Sequence, residues 1–417
     1  MSTLSRSILF LTAGVLFSGC ASTRSLRAPA APVSRVDAPD FRQAIGSILG
    51  ADLREGNRIT TLENGDRIFS AMLAGIRSAG RTITFETYIF EKSDIAEQFA
   101  TALAERARAG VKVHAIIDAH GGKKGRRYFS TMRDAGVELA VYHRLLHWDP
   151  RRYNNRTHRK LLVIDGKIGF IGGVGIADLW TGNAQSPEHW RDLHYRVEGP
   201  VVAQLQAAFL DNWLKTHEEI LHGPAYFPAL PKAGSAKAAV FHSSPRKGAI
   251  KVVLMYQLAI ASARESLQIE NAYFVPDDHT VEALVAAARR GVRVEIIVPG
   301  RHIDQKSVRR ASRRRWRPLL EAGVKFFEYQ PTMVHTKLLI ADGYFTSVGS
   351  ANFDNRSMRL NDEANLNVLD RSFASEQSRI FARDRAQSRE VTLENLRSES
   401  VAETPLQALQ APLESQL

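Results

Sequence analysis

Two stretches of the chain are dense in β-branched and aromatic residues and predict strands: Ile83-Thr84-Phe85-Glu86-Thr87-Tyr88-Ile89-Phe90 and Leu267-Gln268-Ile269-Glu270-Asn271-Ala272-Tyr273-Phe274. A helical stretch follows each and stops at a glycine, in Arg108-Ala109-Gly110-Val111-Lys112-Val113 and in Arg289-Arg290-Gly291-Val292-Arg293-Val294, after which alternation resumes. The same helix end recurs at Asp134-Ala135-Gly136-Val137 and Glu321-Ala322-Gly323-Val324, at nearly constant separation. Such spacing marks an internal duplication. Each copy ends in one short unit, His158-Arg159-Lys160-Leu161-Leu162-Val163-Ile164-Asp165-Gly166 and His335-Thr336-Lys337-Leu338-Leu339-Ile340-Ala341-Asp342-Gly343, which predicts a strand, an Asp-Gly turn and a returning strand. Strands alternating with helices give an α/β class, with hairpins that make the sheets mixed. The pattern divides the chain into a leader over 1–20, a flexible Ala-, Pro-, Ser- and Arg-rich tether over 21–45, domains over 46–225 and 226–388, and a polar, partly disordered tail over 389–417.

The leader carries Arg6, the apolar run Ile8-Leu9-Phe10-Leu11-Thr12-Ala13-Gly14-Val15-Leu16-Phe17, then small residues and Cys20. This is the layout of a secretory signal. The run is too short to span a bilayer core, which takes about 20 apolar residues. Phe17-Ser18-Gly19-Cys20 resembles the lipobox of bacterial lipoproteins, with Phe17 where leucine is usual. The resemblance implies that Cys20 is lipidated and opens the mature chain, and Ala21 implies outer-membrane sorting. The protein is therefore expected at the periplasmic face of the envelope, lipid-anchored. Cys20 is the only cysteine, which excludes an internal disulfide, a CxxC pair and a thiolate zinc site. A formal charge of +12 points to an anionic partner: nucleic acid, anionic lipid or a phosphorylated small molecule.

Candidate chemistry lies in the duplicated unit. His158 and Lys160 are two apart, as are His335 and Lys337, so in extended chain each pair shares one strand face. One such pair means little. His-x-Lys-x4-Asp found twice, at matching points of a duplication and followed by Gly172-Gly173 or Gly349-Ser350, marks a functional site.

Over about residues 60–385 the chain resembles two-motif members of the phospholipase D superfamily, most closely the bacterial cardiolipin synthases. The likeness extends to Trp190-Arg191-Asp192-Leu193-His194, Asn271-Ala272-Tyr273-Phe274-Val275-Pro276-Asp277, Gly349-Ser350-Ala351-Asn352-Phe353-Asp354-Asn355-Arg356-Ser357 and Asn361-Asp362-Glu363. It implies two α/β/α layered domains, face to face about a pseudo-twofold axis, with one active site at their interface. It further implies His158 as nucleophile, His335 as general acid and then base, Lys160, Lys337 and Asn352 on the phosphoryl oxygens, and Asp192 and Glu363 orienting the histidines. Gly175 stands where the family commonly has asparagine, which removes one expected donor. Asp165 and Asp342 are assigned to the turns. No metal-ligand motif or nucleotide-binding loop is visible, and neither metal nor cofactor is expected.

Three basic stretches remain: Lys123-Lys124-Gly125-Arg126-Arg127, Arg151-Arg152, and Arg309-Arg310-Ala311-Ser312-Arg313-Arg314-Arg315-Trp316-Arg317. Solvated helix faces account for any one of them; the sharper expectation is contact with anionic headgroups, with Trp316 at the membrane interface. The leading function is a metal-independent phosphatidyltransferase that forms a phosphohistidine and passes the phosphatidyl group to phosphatidylglycerol or a related lipid. Its partners would be phospholipids and a membrane surface, not nucleic acid. Hydrolysis to phosphatidic acid, a nuclease and a non-catalytic lipid-binding lipoprotein are the alternatives.

Overall fold

The computed structural model describes residues 26–32, 34–143, 154–245 and 250–400, so Cys20 and Arg151-Arg152 lie outside the described residues. Helix α1 (Pro39–Leu49) is followed by β1 (Arg54–Glu63), α2 (Asn64–Ser78), β2 (Thr82–Thr87), α3 (Asp94–Arg108), β3 (Lys112–Asp118), α4 (Arg127–Asp134), β4 (Glu138–Tyr142), β5 (Leu161–Ile164), β6 (Ile168–Gly172), β7 (Leu193–Glu198) and α5 (Val202–His217). The second copy runs β8 (Ala236–Ser243), α6 (Lys251–Ser262), β9 (Ser266–Asn271), α7 (Asp278–Arg289), β10 (Arg293–Pro299), α8 (Lys306–Arg314), α9 (Trp316–Glu321), β11 (Lys325–Tyr329), β12 (Lys337–Ala341), β13 (Phe345–Gly349), α10 (Asn355–Arg359), β14 (Glu363–Leu369) and α11 (Arg371–Ala386), before β15 (Ser388–Val391) and α12 (Leu393–Ser400).

The strands form one sheet in the order β15-β11-β10-β9-β12-β13-β14-β8-β1-β7-β6-β5-β2-β3-β4. Apart from β15, which has no counterpart, the order is equivalent outward from the antiparallel β1–β8 pair in both directions, so the duplication appears as a pseudo-twofold axis between those strands. Within each copy three parallel strands carry the crossover helices and three antiparallel strands form the hairpins. Central strands such as β2 and β12 are buried along their whole length, as expected for a sheet covered on both faces. An outer core packs α2, α3 and α4 on the first copy, and a second outer core packs α6, α7 and α9 on the other. Between them, Leu161, Val163 and Tyr195 share one cluster with Leu338, Ile340 and Leu366, roofed by Phe209 and Trp213 of α5. The two copies are thus fused through a common core.

Both Asp-Gly turns adopt the left-handed geometry a tight hairpin requires, with φ of 52° and 63° at Asp165 and Gly166 and 51° and 56° at Asp342 and Gly343. Each aspartate also accepts backbone N–H bonds at the start of the neighbouring strand: Asp165 from Gly80, Arg81 and Thr82, and Asp342 from Arg264, Glu265 and Ser266. Those positions are structural, as the sequence predicts.

Three expectations are corrected. Of the segment read as a tether over 21–45, the described residues dock on the second copy: Leu26 packs on its core, Gln257 Oε1 accepts the Ala30 N–H at 3.1 Å, and Val36, Phe41 and Ile45 are buried. Alanine and proline masked the sparse apolar contacts of this stretch. The tail read over 389–417 begins inside the sheet, because β15 pairs antiparallel with β11. Trp316 is no interfacial anchor: it is fully buried, stacked on Phe326 at 4.6 Å, and Arg309 and Arg313 beside it pair with the buried Glu328.

Candidate active site

The site is assembled by exchange between the copies. Thr157 forms a parallel bridge with Asp362, and the His158 N–H donates to Asp362 O at 2.8 Å. Across the axis, Arg191 bridges Val334 and the His335 N–H donates to Arg191 O at 2.7 Å. Each bridge seats a histidine from one copy beside a carboxylate from the other. His158 Nδ1 lies 2.9 Å from Glu363 Oε1, and His335 Nδ1 lies 2.8 Å from Asp192 Oδ2. Carboxylates so placed fix the tautomer and leave Nε2 directed at the cavity.

The two carboxylates are held differently. Glu363 accepts hydroxyl bonds from Ser350 at 2.5 Å and Ser357 at 2.6 Å. Burial opposes its ionisation, but His158, Lys160 and the serine bond outweigh it and hold the carboxyl below its ordinary value. Asp192 accepts the Trp180 indole N–H at 3.0 Å and the Leu193 N–H at 2.8 Å, and burial pushes it up to about 6. Burial lowers His158 to about 4, so it is neutral at physiological pH; burial together with Lys337 also lowers His335.

Lys160 Nζ donates to His158 O at 2.8 Å, and Lys337 Nζ donates to His335 O and sits 3.1 Å from the His335 ring nitrogens. Burial depresses the two lysines to about 7 and about 8. Asn352 is buried, its N–H held by Ser357 Oγ at 3.0 Å while its side-chain oxygen has no partner among the described residues. His158, Lys160, His335 and Asn352 line one cavity of about 320 Å³. Asp192, Glu363 and Lys337 stand behind that wall, touching the histidines rather than the cavity.

The structure explains Gly175. A Cβ there would lie 2.7 Å from Ile89 Cβ and 3.0 Å from the Trp180 ring, so the indole fills the space an asparagine side chain would need. Gly173, the counterpart of Ser350, has no room either: its Cβ would lie 2.3 Å from Asp192 Oδ1. Trp180 therefore takes over the donor role that serine plays in the other copy. Sequence reasoning missed Trp180, Ser350 and Ser357 as site residues, and also Tyr88, whose ring meets His158 edge-on at 5.4 Å. Pairing the two copies position by position, Gly173 against Ser350, was the available signal.

A fused pair of α/β copies with one His–Lys–carboxylate set per half defines a phospholipase D-like protein. The family described as "Cardiolipin synthase, PLD-like domain" matches residues 72–213 and 256–385, and the chain belongs to it. It is 34% identical to cardiolipin synthase A of Pseudomonas fluorescens, over 82% of this chain and 71% of that one. It is 33% identical to a cardiolipin synthase of Staphylococcus aureus, over 84% of this chain and 72% of that one. In fold it is similar to the phosphatidylserine synthase of Haemophilus influenzae, with a TM-score of 0.69 and 13% identity over 91% of this chain and all of that one.

Proposed function

We propose that the protein is a cardiolipin synthase-like phosphatidyltransferase. The observation that carries the reading is the crossed pair of histidine–carboxylate contacts opening on one cavity. His158, neutral and with Nδ1–H on Glu363, presents the Nε2 lone pair to phosphorus. The P–N bond forms as the P–O bond to the departing alcohol breaks, and the alkoxide takes a proton from the His335–Asp192 pair. The hydroxyl of a second phospholipid then returns its proton to His335, its oxygen attacks phosphorus, and His158 is released. Lys160 neutralises and Asn352 hydrogen-bonds the phosphoryl oxygens, with Lys337 adding positive charge from behind His335, so in this reading the protein supplies by side chains the charge stabilisation that other phosphoryl-transfer sites take from metal ions.

The relatives' name, cardiolipin synthase, supports a phospholipid substrate; the substrate in this reading is phosphatidylglycerol or a related lipid, met at a membrane surface. The signal-like leader and the lipobox-like Phe17-Ser18-Gly19-Cys20 support export and anchoring through Cys20. Only five residues separate Cys20 from the docked Leu26, a reach of about 20 Å at full extension, so an acylated Cys20 would hold the body close against the bilayer. Labelled palmitate is expected to enter the wild-type chain and not Cys20→Ser; label retained by the variant removes the anchor.

The deciding assay incubates the full-length protein with vesicles of labelled phosphatidylglycerol, and separately with labelled single-stranded DNA. Cardiolipin is the expected product. Phosphatidic acid alone would make the protein a hydrolase, cut DNA a nuclease, and no product at all would remove the enzymatic reading.

A further inference from the structure

Each orienting carboxylate crosses to the other copy on a very short connection, a single parallel bridge of two backbone bonds. The Arg191 N–H donates to Met333 O at 2.9 Å and Arg191 O accepts from His335, while the Asp362 N–H donates to Arg156 O at 2.8 Å and Asp362 O accepts from His158. The residue so gripped stands directly before the carboxylate, Arg191 before Asp192 and Asp362 before Glu363. Its side chain then meets the closing helix of the other copy. The Arg191 guanidinium donates to both Asp384 oxygens on α11 at 3.0 to 3.2 Å, and to Asn64 Oδ1 and Glu63 Oε2 at 3.0 Å. Asp362 accepts from Lys215 Nζ on α5 at 3.0 Å, from the Tyr142 hydroxyl at 2.7 Å and from Asn155 Nδ2 at 3.3 Å.

Helices α5 and α11 are equivalent, each 16 residues long, and Lys215 and Asp384 both stand third from the end. The two clamps therefore lie at matching points of the duplication with their charges exchanged: cation on the bridge and anion on the helix in one, the reverse in the other. Arg191 and Asp384 are each 4% exposed, Asp362 2% and Lys215, which also serves Asp211 at 3.0 Å, 14%. Burial, with Asp384 adding to it, raises the neighbouring Glu270 well above its ordinary value, so the proton of that carboxyl pair rests on Glu270 and Asp384 meets the guanidinium as a carboxylate. Burial opposes the charge of Asp362, but Lys215 and Arg159 outweigh it and hold the carboxyl below its ordinary value. Pairing each bridge residue with the helix of its own copy would set Arg191 against Lys215 and Asp362 against Asp384. Like charges in buried places disfavour that arrangement.

We propose that Arg191–Asp384 and Asp362–Lys215 are positioning pairs: their exchanged charges specify which copy each carboxylate crosses to, and their contacts hold Asp192 on His335 and Glu363 on His158. Asn64 carries the first clamp through to Asp192, because its Oδ1 accepts the Asp192 N–H at 3.4 Å and its own N–H donates to Asp192 O at 3.0 Å. The inference rests on the phosphatidyltransferase reading above and extends it. Each pair acts through one histidine and therefore on one step: Asp362–Lys215 on the attack by His158, Arg191–Asp384 on the proton transfers of His335.

The test follows p-nitrophenol released from phosphatidyl-p-nitrophenol by the full-length protein with phosphatidylglycerol as acceptor. This leaving group needs no acid, so the initial burst reads the attack by His158 and the steady rate reads the second step, in which His335 is the base. Lys215→Gln is expected to slow the burst about 10-fold, and Asp384→Asn to slow the steady rate about 10-fold while the burst stays within about 2-fold of wild type. Lys215→Arg and Asp384→Glu, which keep the charge, are expected to recover part of each loss. Tyr142→Phe and Glu63→Gln each weaken one contact of the same two clamps and are expected to show the same split at about 3-fold, which decides the matter where the larger changes fail to fold. A burst slowed as much by Asp384→Asn as by Lys215→Gln, or neither phase changed in variants that melt at the wild-type temperature, overturns the positioning role. Wild-type protein that releases no p-nitrophenol overturns the phosphatidyltransferase reading, and the inference with it.

Discussion

Asp192 and Glu363 occupy equivalent places on the two sides of the pseudo-twofold axis, yet their surroundings differ. Glu363 sits among hydroxyls and stays ionised; Asp192 sits under an indole and shares its proton at about 6. The rings differ in the same sense. His335 is crowded by Trp180, Trp190 and Tyr273 at 5.2, 5.5 and 6.2 Å, while His158 has Tyr88 at 5.4 Å. Duplication supplied two similar histidine units, and in the proposed mechanism their different carboxylate environments suit them to different work: the pair with the fixed negative charge orients a nucleophile, and the pair that holds a mobile proton serves as acid and base.

That comparison breaks most directly at the carboxylates. Asp192→Asn is expected to lower kcat about 1,000-fold, because it removes the proton store and the tautomer control together, and Glu363→Gln about 100-fold, because it removes orientation alone. Equal losses would erase the distinction. The pH profile sharpens it. Activity is expected to fall as pH drops through about 4, where His158 gains a proton, and to fall as pH rises from about 6 to 8, where Asp192 ionises and then Lys160 and Lys337 lose charge. Because the folded His158 value lies below its unfolded one, the fold itself also loses stability on acidification from about 6.5 toward 4. Glu363→Gln should keep the first part of the alkaline limb and Asp192→Asn should lose it; kinetic profiles of the two variants over this range decide the matter.

Smaller effects follow at the site where the two copies diverge. Trp180→Phe removes the indole donor to Asp192, which raises that carboxyl further; an activity loss of about 10-fold is expected, with the start of the alkaline limb moved upward. Gly175→Asn restores the family's residue, yet it is expected to cost about 1–3 kcal/mol in chemical denaturation, with no gain in rate, because the added side chain meets Ile89 and Trp180. A stable, faster variant would show that the glycine is a defect rather than a fit.

Much of this was legible along the chain. The duplicated strand and hairpin periods gave the mixed α/β copies, the Asp-Gly dipeptides gave the two left-handed turns, and the repeated spacing of His158, Lys160, His335 and Lys337 marked the candidate site, whose chemistry came from the likeness to phospholipase D-type proteins. The exchange of carboxylates was not legible, because one dimension does not say which copy faces which histidine; that depends on the bridges at Thr157 and Arg191. Trp316 misled because its arginine neighbours outweigh it in any window, whereas in three dimensions its ring turns inward onto Phe326 and two of those arginines turn to Glu328. Trp180 escaped because its role shows only against Ser357, its counterpart across the axis, which donates to Glu363 as Trp180 does to Asp192.

The central claim is the division of labour between the histidines, and trapping the covalent intermediate tests it most directly. A phosphatidyl donor with p-nitrophenol as leaving group, labelled on phosphorus, needs no acid to depart. On His335→Ala protein the account predicts rapid labelling that persists, because the base for the second step is gone, with acid-labile phosphate on the peptide that contains His158. Label on His335 in the His158→Ala protein, with none on His158 in the other variant, would contradict it.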